Sequence, residues 1–172
     1  MIITLCGSAR FEAWYHIWNK ALTLSGHCVF GLGSYPSREG SKDWYTEEDK
    51  AVLDAVHKGK ISASHAILVL NVGAYIGEST LSEVVYAKTQ NKDLHFLESW
   101  GEGLGISDNH SEDYRDSLRK FFVQNSTGIA YFPASPIDTY GHHSPWTLLP
   151  EAGERRNRIV HWIKSEEKDA MR

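Results

Sequence analysis

Glu83 closes a corner that can do chemistry. The apolar run His65-Ala66-Ile67-Leu68-Val69-Leu70 has strand length, Asn71 to Gly77 reads as a glycine-containing turn, and Leu81, Val84, Val85 and Lys88 then keep helical spacing. In an open α/β sheet the carboxyl end of such a strand borders the ligand crevice, which places Asn71, Glu78, Ser79 and Glu83 beside it. A carboxylate there can attack an electrophilic carbon or stabilise cationic character in a sugar. Glu78 is placed as its acid/base companion. Thr80-Leu81-Ser82-Glu83 also fits a capping box, in which Glu83 satisfies a helix amide and takes no part in chemistry. The residues alone leave both roles open.

A second corner lies at the amino terminus, where Met1 to Cys6 reads as a strand ending at Gly7-Ser8-Ala9-Arg10. Gly7 allows a tight turn, Ser8 offers a hydroxyl, and Arg10 offers a fork suited to phosphate or carboxylate beside the free amides of a helix start. Ser8 as a helix cap with Arg10 at the surface accounts for the same residues. The stretch from Gly33 to Thr46 is long enough to cover a ligand, and Trp44 and Tyr45 within it can sandwich a base or dock the loop. Cys6 and Cys28 read as reduced core cysteines. The pair His142-His143 has no second ligand cluster, so no metal is expected, and no cofactor motif is present.

These corners need a scaffold, and the chain supplies strand and helix signals in alternation. A helix from about Phe11 to Leu24 carries the stripe Trp14, Ile17, Trp18, Ala21 and Leu22, and His27 to Leu32 reads as a second strand. Thr46 with Glu47, Glu48 and Asp49 opens a helix through Val52, Leu53 and Val56 that stops near Gly59. Asp93 to Glu98 is the fourth strand. A helix within Asp108 to Asn125, a fifth strand at Gly128 to Phe132, an irregular segment near 133–150, and a helix from Glu151 to Ile163 with a frayed charged end complete a single domain over residues 1–172. Successive βα units imply a mainly parallel sheet covered on both faces.

With 172 residues and 41% hydrophobic side chains, the chain can bury one substantial core. Its net charge of -4, from intermingled acids and bases, gives no footprint for a nucleic acid polymer. No apolar run approaches the roughly 18 residues that a membrane span requires, so a cytoplasmic protein without a membrane partner is expected.

Cys6-Gly7-Ser8-Ala9-Arg10, together with Gly77-Glu78-Ser79-Thr80-Leu81-Ser82-Glu83-Val84-Val85-Tyr86-Ala87-Lys88, resembles the nucleoside 2-deoxyribosyltransferase-like superfamily, including its nucleotide N-glycosidases. The resemblance covers about residues 1 to 98 and rests on Gly-Ser-x-Arg combined with Glu-x-x-Tyr-Ala. It implies a flavodoxin-like three-layer sandwich with a five-stranded sheet in the order 2-1-3-4-5. It also implies a nucleoside or nucleotide substrate, Glu83 as nucleophile at the anomeric carbon, Ser8 and Arg10 on a 5'-phosphate, and a homo-oligomer in which the segment from Tyr140 to Trp146 completes a neighbouring site. The family commonly has an aspartate in the helix before the central strand and an acidic residue where that strand begins. His57 and His65 occupy those places here, which makes His57 a candidate proton carrier and keeps a non-catalytic nucleotide-binding or sensor protein as the alternative.

Overall fold

A computed structural model describes residues 1–33, 46–98, 116 and 145–172. Within them four strands form one sheet: β1 (Ile2–Cys6), β2 (Cys28–Phe30), β3 (Ala66–Val69) and β4 (Asp93–Phe96), in the order β2-β1-β3-β4 with every pairing parallel. In register, Cys6 is opposite Val69, and Val69 is opposite Phe96. The carboxyl ends of β1, β3 and β4 therefore share one edge.

Among the described residues, four α-helices with full ranges accompany them: α1 (Glu12–Leu24), α2 (Glu47–Ala63), α3 (Glu78–Thr89) and α4 (Glu154–Ala170). Side chains alternate across each strand. Thus Ile67 and Val69 join Cys6, Ile61, Val84 and Phe96 under α2 and α3, whereas Ile3, Leu5, Leu68 and Leu70 join Trp18, Leu22, Ile159 and Ile163 under α1 and α4. That alternation sends Cys6 to the α2 and α3 side. The result is an α/β architecture with a four-stranded parallel sheet covered on both faces. None of the helices described is long and apolar enough to cross a membrane.

Several boundaries differ from expectation, for identifiable reasons. Helix α2 runs through Gly59 to Ala63, because Gly59 meets no neighbouring atom that demands a turn while Ile61, fully buried, anchors the last turn to the core. The apolar residues expected to carry that helix, Val52, Leu53 and Val56, are exposed, and His57 and Ile61 are its buried residues. Helix α4 continues to Ala170, and Trp18 Nε1 donates to Glu167 Oε1 at 3.2 Å, so the charged end is packed. Cys28 is exposed, not a core residue, on the outer strand β2.

Trp146 lies in a 3-10 turn (Pro145–Leu148) and meets Trp18 edge-on at 5.6 Å between ring centroids. His27 Nε2 donates to the Leu148 carbonyl at 2.6 Å and fixes the same turn. These contacts are made within one chain. The expected helix in 108–125, the fifth strand at 128–132 and the segment through residue 144 lie outside the described residues, apart from helical Asp116.

Candidate functional site

A pocket of about 560 Å³ opens at the carboxyl edge of the sheet. The β1–α1 turn brings Gly7 and Ser8 to it, the start of α3 brings Glu78 and Ser79, and Glu83 and His57 also line it. Gly7 is required by close approach, since a Cβ there would come within 3.2 Å of the Leu70 carbonyl oxygen. The two corners expected from the sequence therefore meet in one cavity.

Glu83 does not cap α3. That helix starts at Glu78 after Gly77, with no side-chain cap, so Glu83 belongs to its second turn and the capping-box alternative fails. The side chain instead reaches the pocket from a buried position, 8% exposed, and its Oε2 has no hydrogen-bond partner among the described residues. A capping box does form at Thr46 and Asp49, where the Thr46 hydroxyl accepts from the Asp49 amide at 3.0 Å and the Asp49 carboxylate accepts from the Thr46 amide at 2.9 Å.

Beside Glu83 stand His57 and Cys6. His57 Nε2 is 3.8 Å from Glu83 Oε1 and 3.7 Å from Cys6 Sγ. Burial raises Glu83 from 4.5 to about 8; the Cys6 hydrogen bond opposes that rise and Asp54 adds to it. Burial, aided by the positive charge of Lys60, lowers His57 from 6.5 to about 4. Burial and then the charge of Glu83 push the Cys6 thiol well above its ordinary range. The same low-dielectric setting thus holds all three groups neutral near pH 7. It sets a protonated carboxyl group 3.8 Å from a neutral imidazole.

Other candidates are placed differently. Arg10 is exposed outside the lining: its guanidinium carbon is 3.6 Å from the Tyr75 ring centroid, and its Nε donates to Ser8 Oγ at 3.2 Å. Asn71 is fully buried and does not line the pocket. Its amide nitrogen donates to the Glu98 carbonyl and its amide oxygen accepts from the Glu98 amide, both at 3.0 Å, so the side chain ties the end of β3 to the end of β4. The structure thus gives the Asn71 side chain two backbone partners and no place in the pocket lining. His65 is at the opposite end of β3, where its Nδ1 accepts from the Ile2 amide at 2.9 Å. Trp44 and Tyr45 lie outside the described residues.

Sequence reading singled out His57 but not the wall it belongs to. Lys50, Leu53, Asp54 and Lys60 face the pocket from α2 together with His57, and their i, i+3, i+4, i+7, i+10 spacing marks a helix face that only a search for mixed polar and apolar periodicity would find. Tyr75 also lines it and was not singled out.

No protein family model matches the chain. No curated protein matches it either. A solved structure described as a conserved protein from Enterococcus faecalis V583 is similar over 96% of this chain and 98% of that one, with 14% sequence identity and a TM-score of 0.43.

Proposed function

We propose that the pocket cleaves the N-glycosidic bond of a nucleoside 5'-monophosphate, by hydrolysis or deoxyribosyl transfer, with Glu83 as nucleophile. The observation that carries this reading is a buried Glu83 carboxyl group facing a cavity of about 560 Å³ whose other walls include the Gly7-Ser8 turn and the start of α3. In the proposed cycle Glu83 gives up its proton to solvent, and the resulting carboxylate attacks C1' as the bond to the base breaks. The base leaves with a proton from Glu78 or from solvent. Water then hydrolyses the glycosyl ester, or a second base takes the sugar. Ser8, Ser79 and Arg10 take the phosphate in this reading.

The accompanying fold is flavodoxin-like, with Gly128 to Phe132 as a fifth strand beside β4, and the protein acts in the cytoplasm as a homo-oligomer. A second reading, a nucleotide sensor without turnover, is favoured by one observation: burial keeps Glu83 protonated at neutral pH. Incubation with a panel of ribo- and deoxyribonucleotides, followed by chromatography for free base, separates the two. Turnover is expected from the wild type, with a loss of about 10²-fold or more in a folded Glu83→Gln variant. Near-wild-type turnover in that variant rejects Glu83 as nucleophile, and tight binding without base release selects the sensor.

A further inference from the structure

We propose that Cys6, His57 and Glu83 form a binding site for a thiophilic divalent cation, with Zn²⁺ as its representative, and that occupation of this site inhibits the pocket. The three residues come from the end of β1, from α2 and from α3, so no sequence spacing announces them. All three are buried, and one ligand atom from each lies within 4.8 Å of the other two.

The geometry suits a small tetrahedral ion. Zinc bonds of about 2.3 Å to sulfur and about 2.0–2.2 Å to nitrogen or oxygen place neighbouring ligand atoms about 3.4–3.6 Å apart. The observed separations are 3.7 Å from Cys6 Sγ to His57 Nε2 and 3.8 Å from His57 Nε2 to Glu83 Oε1, within a few tenths of an ångström of those values, and the Glu83 carboxylate lies within 4.8 Å of Cys6 Sγ. Glu83 Oε2 supplies an independent pointer, because it is buried and lacks a hydrogen-bond partner among the described residues. A thiolate with an imidazole selects Zn²⁺ and similar ions over Mg²⁺ or Ca²⁺, which prefer all-oxygen shells.

Three protein ligands leave a fourth position. His57 and Glu83 line the pocket while Cys6 lies behind them, so that position opens toward the cavity and is filled by water. Binding displaces the Cys6 thiol proton and the Glu83 carboxyl proton to solvent, and His57 binds through the neutral lone pair of Nε2. A coordinated Glu83 cannot attack a sugar. Inhibition is therefore the consequence for the activity proposed above, although the metal site stands without it.

The test uses the full chain stripped with a chelator, and it reads metal binding directly. Zn²⁺ is titrated in competition with a chromophoric chelator, and Co²⁺ is used as the spectroscopic substitute. One ion per chain is expected, with a near-ultraviolet thiolate-to-cobalt charge-transfer band and the intense visible absorption of tetrahedral Co²⁺. Cys6→Ser removes the charge-transfer band and weakens Zn²⁺ by about 10²-fold or more, at least the loss that disturbing a ligand's support produces. Cys28→Ser changes neither. Failure of the wild type to bind one Zn²⁺ overturns the proposal whatever the variants do, and so does a charge-transfer band that survives in Cys6→Ser. Should that variant misfold, His57→Gln takes its place and must weaken Zn²⁺ similarly. Base release measured in excess chelator tests the glycosidase separately, so either idea can fail alone.

Discussion

His57 Nε2 stands 3.8 Å from Glu83 Oε1, with the two side chains only 6% and 10% exposed. Burial pushes their pKa values in opposite directions, Glu83 up to about 8 and His57 down to about 4. Across the interval between those values the carboxyl group holds a proton and the imidazole does not. Transfer of that proton to His57 is uphill by about four pKa units, so the carboxylate that glycosyl transfer needs forms by loss of the proton to solvent as pH approaches 8.

The first prediction concerns rate against pH. If ionised Glu83 is the attacking form, kcat/KM for base release in metal-free buffer rises with pH through the titration of Glu83 and levels above about 8. His57→Gln removes a neutral neighbour and not the destination of the proton, so its rate stays within about 10-fold of the wild type and follows the same pH profile. A His57→Gln deficit of about 10²-fold or more at pH 7 that narrows at higher pH would put His57 on the proton path.

The second prediction concerns stability and follows from the same burial. Glu83 binds its proton more tightly folded than unfolded, because its pKa rises from 4.5 to about 8. Between those values the folded state holds more protons, so stability falls as pH rises. At about 1.4 kcal/mol per unit, the accumulated cost reaches several kcal/mol by pH 8. His57, lowered from 6.5 to about 4, works with the opposite sign and costs stability as pH falls below 6.5. From about 6.5 to 8 the Glu83 effect therefore stands alone. Thermal melting of metal-free wild type and Glu83→Gln across pH 5 to 8 should show the variant gaining on the wild type as pH rises. A gap independent of pH contradicts the raised pKa.

Much of this organisation was legible because the signals were local. The runs at Ile2–Cys6, Ala66–Val69 and Asp93–Phe96 are short, apolar and bounded by turns, and Thr46 with Asp49 announced a cap that forms. Both site corners follow from the rule that parallel strands present their carboxyl ends to a crevice. What the sequence concealed was decided by tertiary contacts. Gly59 is a stop signal only until the burial of Ile61 overrides it, and the 3-10 turn Val72–Ala74 between β3 and α3 moved the helix start away from the apparent capping box at Thr80. Cys6 looked like any core cysteine, and only strand alternation together with the paths of α2 and α3 places it against His57 and Glu83.

Asn71 provides the third prediction, because its two amide bonds to the Glu98 backbone make its role structural. Asn71→Ala leaves a backbone donor and a backbone acceptor without these partners and should cost about 2–3 kcal/mol of stability. Denaturant unfolding measures that loss. At a temperature where the variant remains folded, KM for nucleotide should stay within about 2-fold of the wild type. A large rise in KM with unchanged stability restores Asn71 to the substrate.

Arg10 separates phosphate recognition from scaffold, and it supplies the last prediction. Its guanidinium lies over the Tyr75 ring at 3.6 Å, and its Nε is occupied by Ser8 Oγ. Tyr75 and Ser8 both line the pocket, so stacking holds the fork at the rim while its terminal nitrogens stay available to an anion. A charged hydrogen bond contributes about 1.5–3 kcal/mol, and exposure of Arg10 places the effect at the lower end, near a 10-fold change. Arg10→Ala should accordingly raise KM for nucleoside 5'-monophosphates about 10-fold while leaving unphosphorylated nucleosides within about 2-fold. Arg10→Lys keeps the charge but loses the planar fork that stacks on Tyr75, and it should fall between the two. Steady-state kinetics on matched nucleoside and nucleotide pairs reads this difference directly. Equal losses for both substrates in Arg10→Ala would show that Arg10 serves only to brace Ser8 and Tyr75, and the phosphate would then have to be held by Ser8, Ser79 and the amides at the start of α3.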